Sequence, residues 1–434
     1  SSDLHNTFRM SELFQKIKTV ATDSSLRSRI LFLLGILVVF RLLAAVPIPG
    51  VNPEQLAAFF SQNQFLGLLN IFSGGGLSNL SIVMLGVGPF ITASIIMQLL
   101  TIMSPTLKAM YQEEGEVGRQ KFMQYSRILS VPLAFIQAFG FLILLSRQGI
   151  VPGLDLFTFL TNVTVIAAGS ILLMWLGELI SEFGIGNGMS LIIFAGIVSA
   201  LPTIAGQLLF SFDMAQAPLY LGFLIAALMV IAGVVVVTEA ERPVPITYAK
   251  QNRGERVYGG VSTYLPLRLN QGGVIPIIFA LSILLFPQMI LNFARTLSVD
   301  YPRLAEWATI GLTWLNNMWV YGIAYFVLVF LFTYFYTAIT FEPNAIASNL
   351  QKSGAFVPGV RPGGATASYL GGIVTRITLF GATFLAVIAV LPIIMQGITG
   401  ISSLAIGGTA LLIVVSVVLD LIRKIDAQIT MREY

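Results

Sequence analysis

The 434-residue sequence contains no cysteine and a single histidine, His5. The missing cysteines exclude disulfide frameworks, thiolate metal sites, iron–sulfur clusters and a cysteine nucleophile. One histidine leaves no histidine cluster for a metal and no Ser-His-Asp triad. Charge is scarce as well, because only 10% of the residues are charged, against about 25% in ordinary soluble domains. With 56% apolar residues, the composition predicts a chain that lies in a bilayer.

Charge-free apolar runs indicate where the chain crosses the membrane, because a spanning helix needs about 20 mostly apolar residues. These runs predict ten spans, at 30–46, 82–103, 128–145, 156–177, 189–209, 217–237, 271–294 and 318–341, and two more inside 377–419. The helix-breaking sequence PIPG at 47–50 ends the first span. Glycines and serines at 397–403 mark the turn between the last two spans.

The distribution of Lys and Arg predicts the orientation of these spans. With the N-terminus in the cytoplasm, all but four of the 24 basic residues fall on the cytoplasmic side. The exceptions are Arg147, Arg295 and Arg303 outside and Arg41 within a span. We therefore expect a multi-pass protein of the cytoplasmic membrane with both termini in the cytoplasm.

A short apolar stretch at 65–72 is too short to cross and runs directly into Gly74, Gly75 and Gly76. A crossing here would move Lys108 and the basic residues after it outside and would break the charge bias. We expect this region to dip into the membrane from outside and return. Irregular backbone at that depth requires surrounding protein or a water-filled cavity.

Ten spans divide into two groups of five, and an odd-numbered second group enters the membrane inverted. Repeats of this kind place the functional site between the halves, near the midplane of the bilayer. The predicted organisation is a cytoplasmic segment at 1–27, an N-terminal half at 28–209, a C-terminal half at 215–425 and a tail at 426–434.

No phosphate-binding loop of the form Gly-x4-Gly-Lys-Ser/Thr occurs, and GIGNG at 184–188 is interpreted as a tight turn between spans. We therefore expect no enzyme, no cofactor, no metal and no small-molecule substrate, and a partner or a gradient must drive any work.

Arg41, Glu178 and Asp420 lie near helix ends, where a structural role is favoured over ion coupling. The nearly uncharged interior favours a pore sealed by apolar side chains. A gradient-driven transporter remains the alternative, whereas a purely structural scaffold does not account for the re-entrant segment.

Two cytoplasmic loops, at 239–270 and 342–376, are far longer than most connections, which have about 4 to 6 residues. Both mix basic and apolar side chains. The first contains Tyr248, Lys250, Arg253, Arg256 and Tyr258, and the second contains Lys352, Phe356, Val357 and Arg361. We interpret these loops as a docking surface for a large cytoplasmic partner.

Several blocks, in order along the chain, resemble the SecY family of protein-conducting channels. They are IFSGGGLS at 71–78, TASIIMQLL at 92–100, WLGE at 175–178, GIGNG at 184–188, IFAGIV at 193–198, GGVIP at 272–276 and KSGAFVPGVRPG at 352–363. The resemblance extends from residue 29 to residue 425. It implies an all-α membrane fold of ten helices, in two inverted five-helix halves around an hourglass pore with a re-entrant plug. Unfolded polypeptide would cross through this pore.

By motif position, the resemblance implies a constriction ring of Val87, Ile91, Met189, Ile193, Ile278 and Ile413. Six apolar side chains can part for a peptide and close again. The unbranched side chain of Met189 is adaptable and suits such a seal. The implied plug lies within 64–80 and comprises Leu66, Leu69, Ile71, Phe72, Gly74, Gly75 and Gly76. An ordinary surface loop remains the alternative to the plug.

The resemblance also implies a lateral gate between helices 2 and 3 on one side and 7 and 8 on the other. Its residues are Thr92, Gln137, Asn270 and Phe286, for which simple local hydrogen bonding is the alternative. The implied docking residues are Lys250, Arg256, Phe356 and Arg361. In one departure, an arginine pair common in the family is replaced by Arg242, followed by Pro243 and Pro245. The implied partners are SecE, SecG, the SecA ATPase, the ribosome, preprotein signal sequences and membrane lipid.

Overall fold

The computed structural model describes residues 23–433 except 50–69, 71–72, 74, 78, 113, 148–150, 152–154, 211–216, 249–250, 254–255, 259–261, 274, 297–301 and 400–401. Thirteen helices and five short strands lie in this part of the chain. The helices are α1 (Ser24–Ala45), α2 (Gly88–Met103), α3 (Pro105–Gln112), α4 (Gly115–Arg147), α5 (Leu156–Phe183), α6 (Gly188–Phe210), α7 (Ala217–Glu239), α8 (Ile275–Thr296), α9 (Pro302–Asn316), α10 (Met318–Thr340), α11 (Pro343–Lys352), α12 (Gly364–Thr399) and α13 (Ser402–Glu433). The strands are β1 (Glu241–Tyr248), β2 (Gln251–Arg253), β3 (Arg256–Tyr258), β4 (Ser262–Arg268) and β5 (Ala355–Phe356).

A helix lies at the position of each of the ten predicted spans, namely α1, α2, α4, α5, α6, α7, α8, α10, α12 and α13. Within the described ranges, five candidates are long and apolar enough to cross a membrane: α1, α4, α5, α10 together with α11, and α12. The number rises to six if α2 and α3, which meet at a bend of 117°, form one broken span. The count of ten crossings stays a prediction.

Local signals explain where several helices begin. The Asp23 carboxylate accepts hydrogen bonds from the backbone N–H groups of Ser25 and Leu26, at 2.8 and 3.3 Å, and so caps α1. The Asn317 side chain caps α10 in the same way through the N–H of Trp319, at 3.0 Å. The run predicted as a span at 82–103 becomes helical only at Gly88, with Pro89 in the first turn of the helix.

The chain divides into two compact units. The first comprises Ser1–Met214, Leu285–Trp314 and Val417–Tyr434, and the second comprises Ala215–Leu284 and Leu315–Ser416. The first division falls after Met214, in the segment where the two predicted halves meet. The inverted relation of the halves stays a prediction.

In the first unit, α5 touches the backbone of two other segments, because glycines at both contacts allow the close approach. A Cβ atom built on Gly169 would lie 2.0 Å from the carbonyl oxygen of Ile82. A Cβ atom built on Gly188, the first residue of α6, would lie 1.8 Å from the carbonyl oxygen of Gly177. Neither position has room for any larger residue unless the backbone moves. These contacts seat residues 79–87, which we call the turn segment, and the start of α6 on α5.

An apolar cluster fills the space around the turn segment. Its buried members come from the residues that follow α1, from Leu77 and the turn segment, from α4, from the connection after α4 and from α5. They are Ile48, Leu77, Leu80, Met84, Ala138, Phe141, Leu142, Leu145, Val151, Val163 and Ile166. The turn segment is therefore part of the packed interior of the first unit.

In the second unit, the two long loops meet in one antiparallel sheet of order β4-β1-β5. Strands β1 and β4 come from the first long loop, and β5 comes from the second. The buried face of the sheet packs on α12 in an apolar cluster of Val244, Leu267, Val357, Leu370, Ile373, Val374 and Ile377. A separate hairpin of β2 and β3 extends the first loop. Sequence analysis did not predict these strands.

The two prolines of β1 explain why β5 is so short. Pro243 lies opposite Pro266 of β4, and neither residue has an N–H to donate. The N–H groups that bond β1 to β4 must therefore belong to the neighbouring pairs, such as Val244 opposite Leu265. Along β1, successive N–H groups point alternately toward β4 and toward β5. Pro243 and Pro245 therefore occupy positions where an N–H would otherwise point toward the β5 side. Prolines at an edge prevent further strand pairing, and β5 pairs only with Thr247 and Tyr248.

Candidate functional site

Four of the six predicted ring residues lie in the first unit. Val87 and Ile91, one turn apart at the start of α2, are 0% and 7% exposed. Ile193, in α6, is 1% exposed. Met189 is only partly buried, and a Cβ atom built on Gly177 would lie 2.7 Å from its sulfur, so its thioether rests on α5. The adaptable side chain thus leans on a neighbouring helix.

The other two ring residues lie in the second unit. Ile278 is 5% exposed in the first turn of α8, where its carbonyl accepts a hydrogen bond from the Ser282 hydroxyl at 2.9 Å. Ile413 is 1% exposed in α13. All six positions are apolar; five lie within helices, and Val87 is the N-cap residue of α2. Their assembly into one ring stays a prediction.

Only Gly75 and Gly76 of the seven predicted plug residues are described; Leu66, Leu69, Ile71, Phe72 and Gly74 lie outside the described residues. Gly75 has φ +78°, and its N–H donates to the carbonyl of Asn70 at 2.8 Å. The N–H of Gly76 donates to the carbonyl of Ser73, and the hydroxyl of Ser73 accepts from the N–H of Leu77 at 3.0 Å. Gly75 and Gly76 therefore lie in tight turns, in which the N–H groups of Gly75, Gly76 and Leu77 have local partners.

The turn segment that follows is fixed at both ends. The N–H of Ile82 donates to the carbonyl of Val46 at 3.0 Å, and the N–H of Ile48 donates to the carbonyl of Leu80 at 2.8 Å. At the other end, the buried Ser170 hydroxyl of α5 donates to the carbonyl of Gly86 at 2.8 Å. The turn segment thus provides a fixed stretch of backbone between the glycine turns and the start of α2. Sequence analysis missed Ser170, because nothing in the sequence marks one buried serine among many.

Two of the four predicted gate residues form local hydrogen bonds. The Thr92 hydroxyl donates to the carbonyl of Gly88 at 3.0 Å, and the Asn270 amide donates to the carbonyl of Gly273 at 3.1 Å. The side-chain oxygen of Asn270 is buried and has no hydrogen-bond partner within the described part of the chain. Gln137 is 9% exposed in α4, and the side chain of Phe286 in α8 lies outside the described residues. The gate cluster stays a prediction.

The charged residues singled out from the sequence include two that form ion pairs. Glu178 of α5 accepts a hydrogen bond from the guanidinium of Arg127 in α4. Asp420 pairs with Lys424, one turn later in α13, at 2.9 Å. Both pairs are partly exposed, so each contributes at most about 1 kcal/mol. These pairings support a structural role over ion coupling for both carboxylates.

The predicted docking residues lie on or beside the sheet of the second unit and its hairpin. Phe356 is half-buried in β5 opposite Thr247, and Arg256 lies in β3 opposite Arg253, next to the hairpin turn. Lys250 lies outside the described residues. An ion pair between Glu241 and Arg268, at 3.1 Å, joins β1 to β4 at the base of the sheet. The sheet thus connects the two loops that the sequence analysis treated separately.

Arg361 is exposed on a loop whose neighbours are fixed. Ala355 and Val357, on the side before it, are each 2% exposed. On the other side, the buried Thr366 hydroxyl of α12 donates to the carbonyl of Arg361 at 2.9 Å. Gly359 and Gly363, with φ +82° and +93°, form the turns on either side of the arginine. The loop therefore presents Arg361 from a defined backbone, and sequence analysis missed the contribution of Thr366.

Comparison with known proteins gives a consistent result. A sequence model of the SecY family matches residues 81–422. The chain is 41% identical over 445 residues to the protein translocase subunit SecY of Mycobacterium tuberculosis, which covers 98% of this chain and 99% of that relative. It is 40% identical over 425 residues to the corresponding subunit of Pseudomonas aeruginosa, over 95% of this chain and 92% of the relative.

Solved structures show the same fold. One, described as a study of the SecY plug domain that stabilises the closed channel, superposes with a TM-score of 0.66 at 20% identity, covering 94% of this chain and 93% of that one. Another, of Sec61 in a canine ribosome–channel complex, gives a TM-score of 0.61 at 18% identity, with the same coverage of both chains. With a family match over most of the chain and 41% identity over nearly its full length, this chain belongs to the SecY family.

Proposed function

We propose that this chain forms the membrane channel through which unfolded preproteins cross, with a partner motor or ribosome supplying the energy. The observation that carries the proposal is the burial of apolar side chains at the family's constriction positions. Val87, Ile91, Ile193, Ile278 and Ile413 are each at most 7% exposed. Met189 completes the proposed ring as its adaptable sixth member.

The chemistry of this channel is exclusion of water. An apolar constriction closes by dewetting, because ions cannot shed their hydration shells among side chains that offer no hydrogen bonds. A translocating peptide parts the side chains, and they close after it. The turn segment bears directly on this step, because it fixes the backbone immediately before Val87 and the start of α2. No covalent step is required of the chain, in keeping with a channel that is not an enzyme.

The plug of the proposed channel lies within 64–80, and its glycine turns end at the turn segment. A fixed turn segment next to flexible glycine turns suits a plug that moves while its attachment stays in place. The proposed lateral gate comprises Thr92, Gln137, Asn270 and Phe286. Hydrogen bonds within membrane proteins average about 0.6 kcal/mol, so a signal sequence can replace such bonds and pass sideways into lipid.

The proposed partners are SecE, SecG, the SecA ATPase and the ribosome. Two solved relatives of the same fold are ribosome-bound complexes, one of canine Sec61 and one of yeast Ssh1. The sheet of the second unit and the Arg361 loop supply the docking surface in this proposal. The positive-inside bias places that surface in the cytoplasm, with both termini, in a cytoplasmic membrane crossed ten times.

Reconstitution with SecA, SecE, SecG and a preprotein tests this function. We expect ATP-dependent protection of the preprotein inside vesicles, and we expect Arg361→Glu to reduce it severely. Lys121→Glu makes the same change of charge at an exposed position of α4, outside both long loops, and serves as the control. Absence of translocation by the unaltered chain, or equal activity of the Arg361→Glu and unaltered chains, would contradict the proposal.

A further inference from the structure

Helix α9 (Pro302–Asn316) lies outside the predicted spans and presents three different faces. Its buried face consists of Ala305, Ala308 and Leu312, each at most 8% exposed. Beside this face, a Cβ atom built on Gly311 would lie 2.9 Å from the side chain of Leu291, so α9 packs against α8 within the first unit. One side of α9 is therefore occupied by its own chain.

A second face of α9 is apolar and uncovered. Leu304, Trp307, Ile310 and Trp314 follow one another at intervals of three or four residues and are 46%, 74%, 47% and 67% exposed. Side chains at this spacing share one side of a helix. These exposed residues form an apolar strip, and the exposed Arg303 lies on the same side at the start of the helix.

The third face is polar. Glu306, Thr309 and Thr313 are exposed and again follow at intervals of three and four residues. At 3.6 residues per turn, this row lies between the buried face and the apolar strip. A helix that divides protein, apolar medium and water among three faces matches the boundary between a bilayer and water.

The position of α9 along the chain places it near that boundary. α9 ends at Asn316, and the predicted span α10 begins at Met318. Met318 follows Trp314 by four positions, so their Cα atoms lie at most about 14 Å apart. α10 itself exposes Trp319, Ile323 and Leu331 at 74%, 64% and 55%, the pattern of a helix surface that faces lipid.

We propose that α9 lies in the plane of the membrane interface, on the side where α10 begins, and binds the lipid surface through the strip formed by Leu304, Trp307, Ile310 and Trp314. The indole ring combines an apolar body with an N–H donor, which suits the headgroup region. Binding of this surface to lipid would anchor the segment that joins α8 to α10.

Depth-dependent fluorescence tests the proposal in the full chain, reconstituted in vesicles of phosphatidylcholine and phosphatidylglycerol. The sequence has four tryptophans, so Trp175→Phe, Trp314→Phe and Trp319→Phe leave Trp307 as the only reporter. Adding Trp307→Phe and Thr309→Trp moves the reporter to the polar face of the same helix. We expect brominated acyl chains to quench most of the Trp307 emission and to spare the reporter at position 309, which aqueous iodide quenches instead.

Two results would overturn the proposal. Equal iodide quenching of both reporters would place the strip in water. Protection of the Trp307 reporter from both quenchers would mean that protein, a second copy or another subunit, covers the strip.

A second measurement retains all four tryptophans. Because the chain has no cysteine, Ile310→Cys and Thr313→Cys each introduce a single thiol on α9. We expect a membrane-impermeant maleimide to label the thiol at 313 much faster than the thiol at 310, and equal rates would contradict the proposal. Neither measurement depends on translocation activity.

Discussion

The two units stabilise irregular backbone in different ways. In the first, the turn segment is held by contacts with a helix and with the residues after α1, including the hydroxyl of Ser170 on the carbonyl of Gly86. In the second, the long loop after α7 is held by a ladder of backbone hydrogen bonds between β1 and β4. One region depends on close packing of glycines and the other on strand pairing.

The difference follows from the solvent that each region meets. The turn segment leads directly into a predicted span, where no water replaces a missing backbone partner. Each of its groups needs a protein partner, and Gly169 allows α5 close enough to supply one. The sheet lies in a predicted cytoplasmic loop, so its edge can remain open to water, and Pro243 and Pro245 keep that edge from pairing. We therefore expect small changes to be costly in the first region and mild in the second.

The largest effect is expected for Gly169→Ala. The added Cβ atom would lie 2.0 Å from the carbonyl oxygen of Ile82, so α5 and the turn segment must separate. Overpacking of this kind costs about 1 to 3 kcal/mol, and we expect the upper end because the contact is with backbone. The measurement is the midpoint of heat-induced aggregation in detergent, together with ion leak through reconstituted vesicles.

Gly140→Ala is the matched control, because a Cβ atom at Gly140 of α4 would meet nothing within 4 Å. Alanine is the better helix former by about 1 kcal/mol, so this variant should be as stable as the unaltered chain or more so. If the two variants lowered the midpoint equally, the close contact at Gly169 would not explain how the turn segment is held against α5.

The sequence analysis placed helices correctly where composition alone decides the outcome. A run such as 156–177 has to be apolar to cross lipid, and α5 lies there. Composition does not distinguish helix from turns, however. Residues 82–87 are as apolar as those that follow, yet the carbonyl of Val46 and the hydroxyl of Ser170 hold them out of helical form.

The parts that sequence analysis missed depend on distant partners. Strands β1 and β4 contain three prolines, which argue against a strand unless the register that sets Pro243 against Pro266 is known. In α9, Arg303 and Glu306 interrupt the apolar run that would have suggested a membrane contact. Thr366 and Ser170 act through single hydrogen bonds to backbone, for which the sequence contains no periodic signal.

A smaller effect in the first unit is expected for Ser170→Ala. The change removes the donor to the carbonyl of Gly86 and leaves that buried acceptor without its partner, at a cost of about 1 to 3 kcal/mol. Because Gly86 precedes Val87, we also expect a raised ion leak. Thr164→Ala removes an exposed hydroxyl that bonds only within α5, so it should change neither property. Equal behaviour of the two variants would show that the bond of Ser170 does not fix the turn segment.

In the second unit, Thr366→Val tests the backbone of the Arg361 loop. Valine keeps the shape of threonine but cannot donate to the carbonyl of Arg361, a loss of about 1 kcal/mol. We expect a partial loss of SecA-driven translocation with the midpoint of unfolding nearly unchanged, and recovery in Thr366→Ser, which retains the hydroxyl. A Thr366→Ser variant as impaired as Thr366→Val would mean that packing, and not the hydrogen bond, matters at this position.

The smallest effect on stability is expected for Pro245→Thr. The change adds an N–H that points to the edge of β1 beyond the end of β5, where the sheet offers no acceptor, so stability should change by no more than about 0.5 kcal/mol. Hydrogen exchange read by mass spectrometry measures the new amide directly. We expect it to exchange rapidly while the amides of Val244 and Ile246, which face β4, stay protected. A protected amide at 245 would mean that the N–H at this position points toward β4. The prolines would then interrupt the hydrogen bonds between β1 and β4, and would not lie on the edge that faces water.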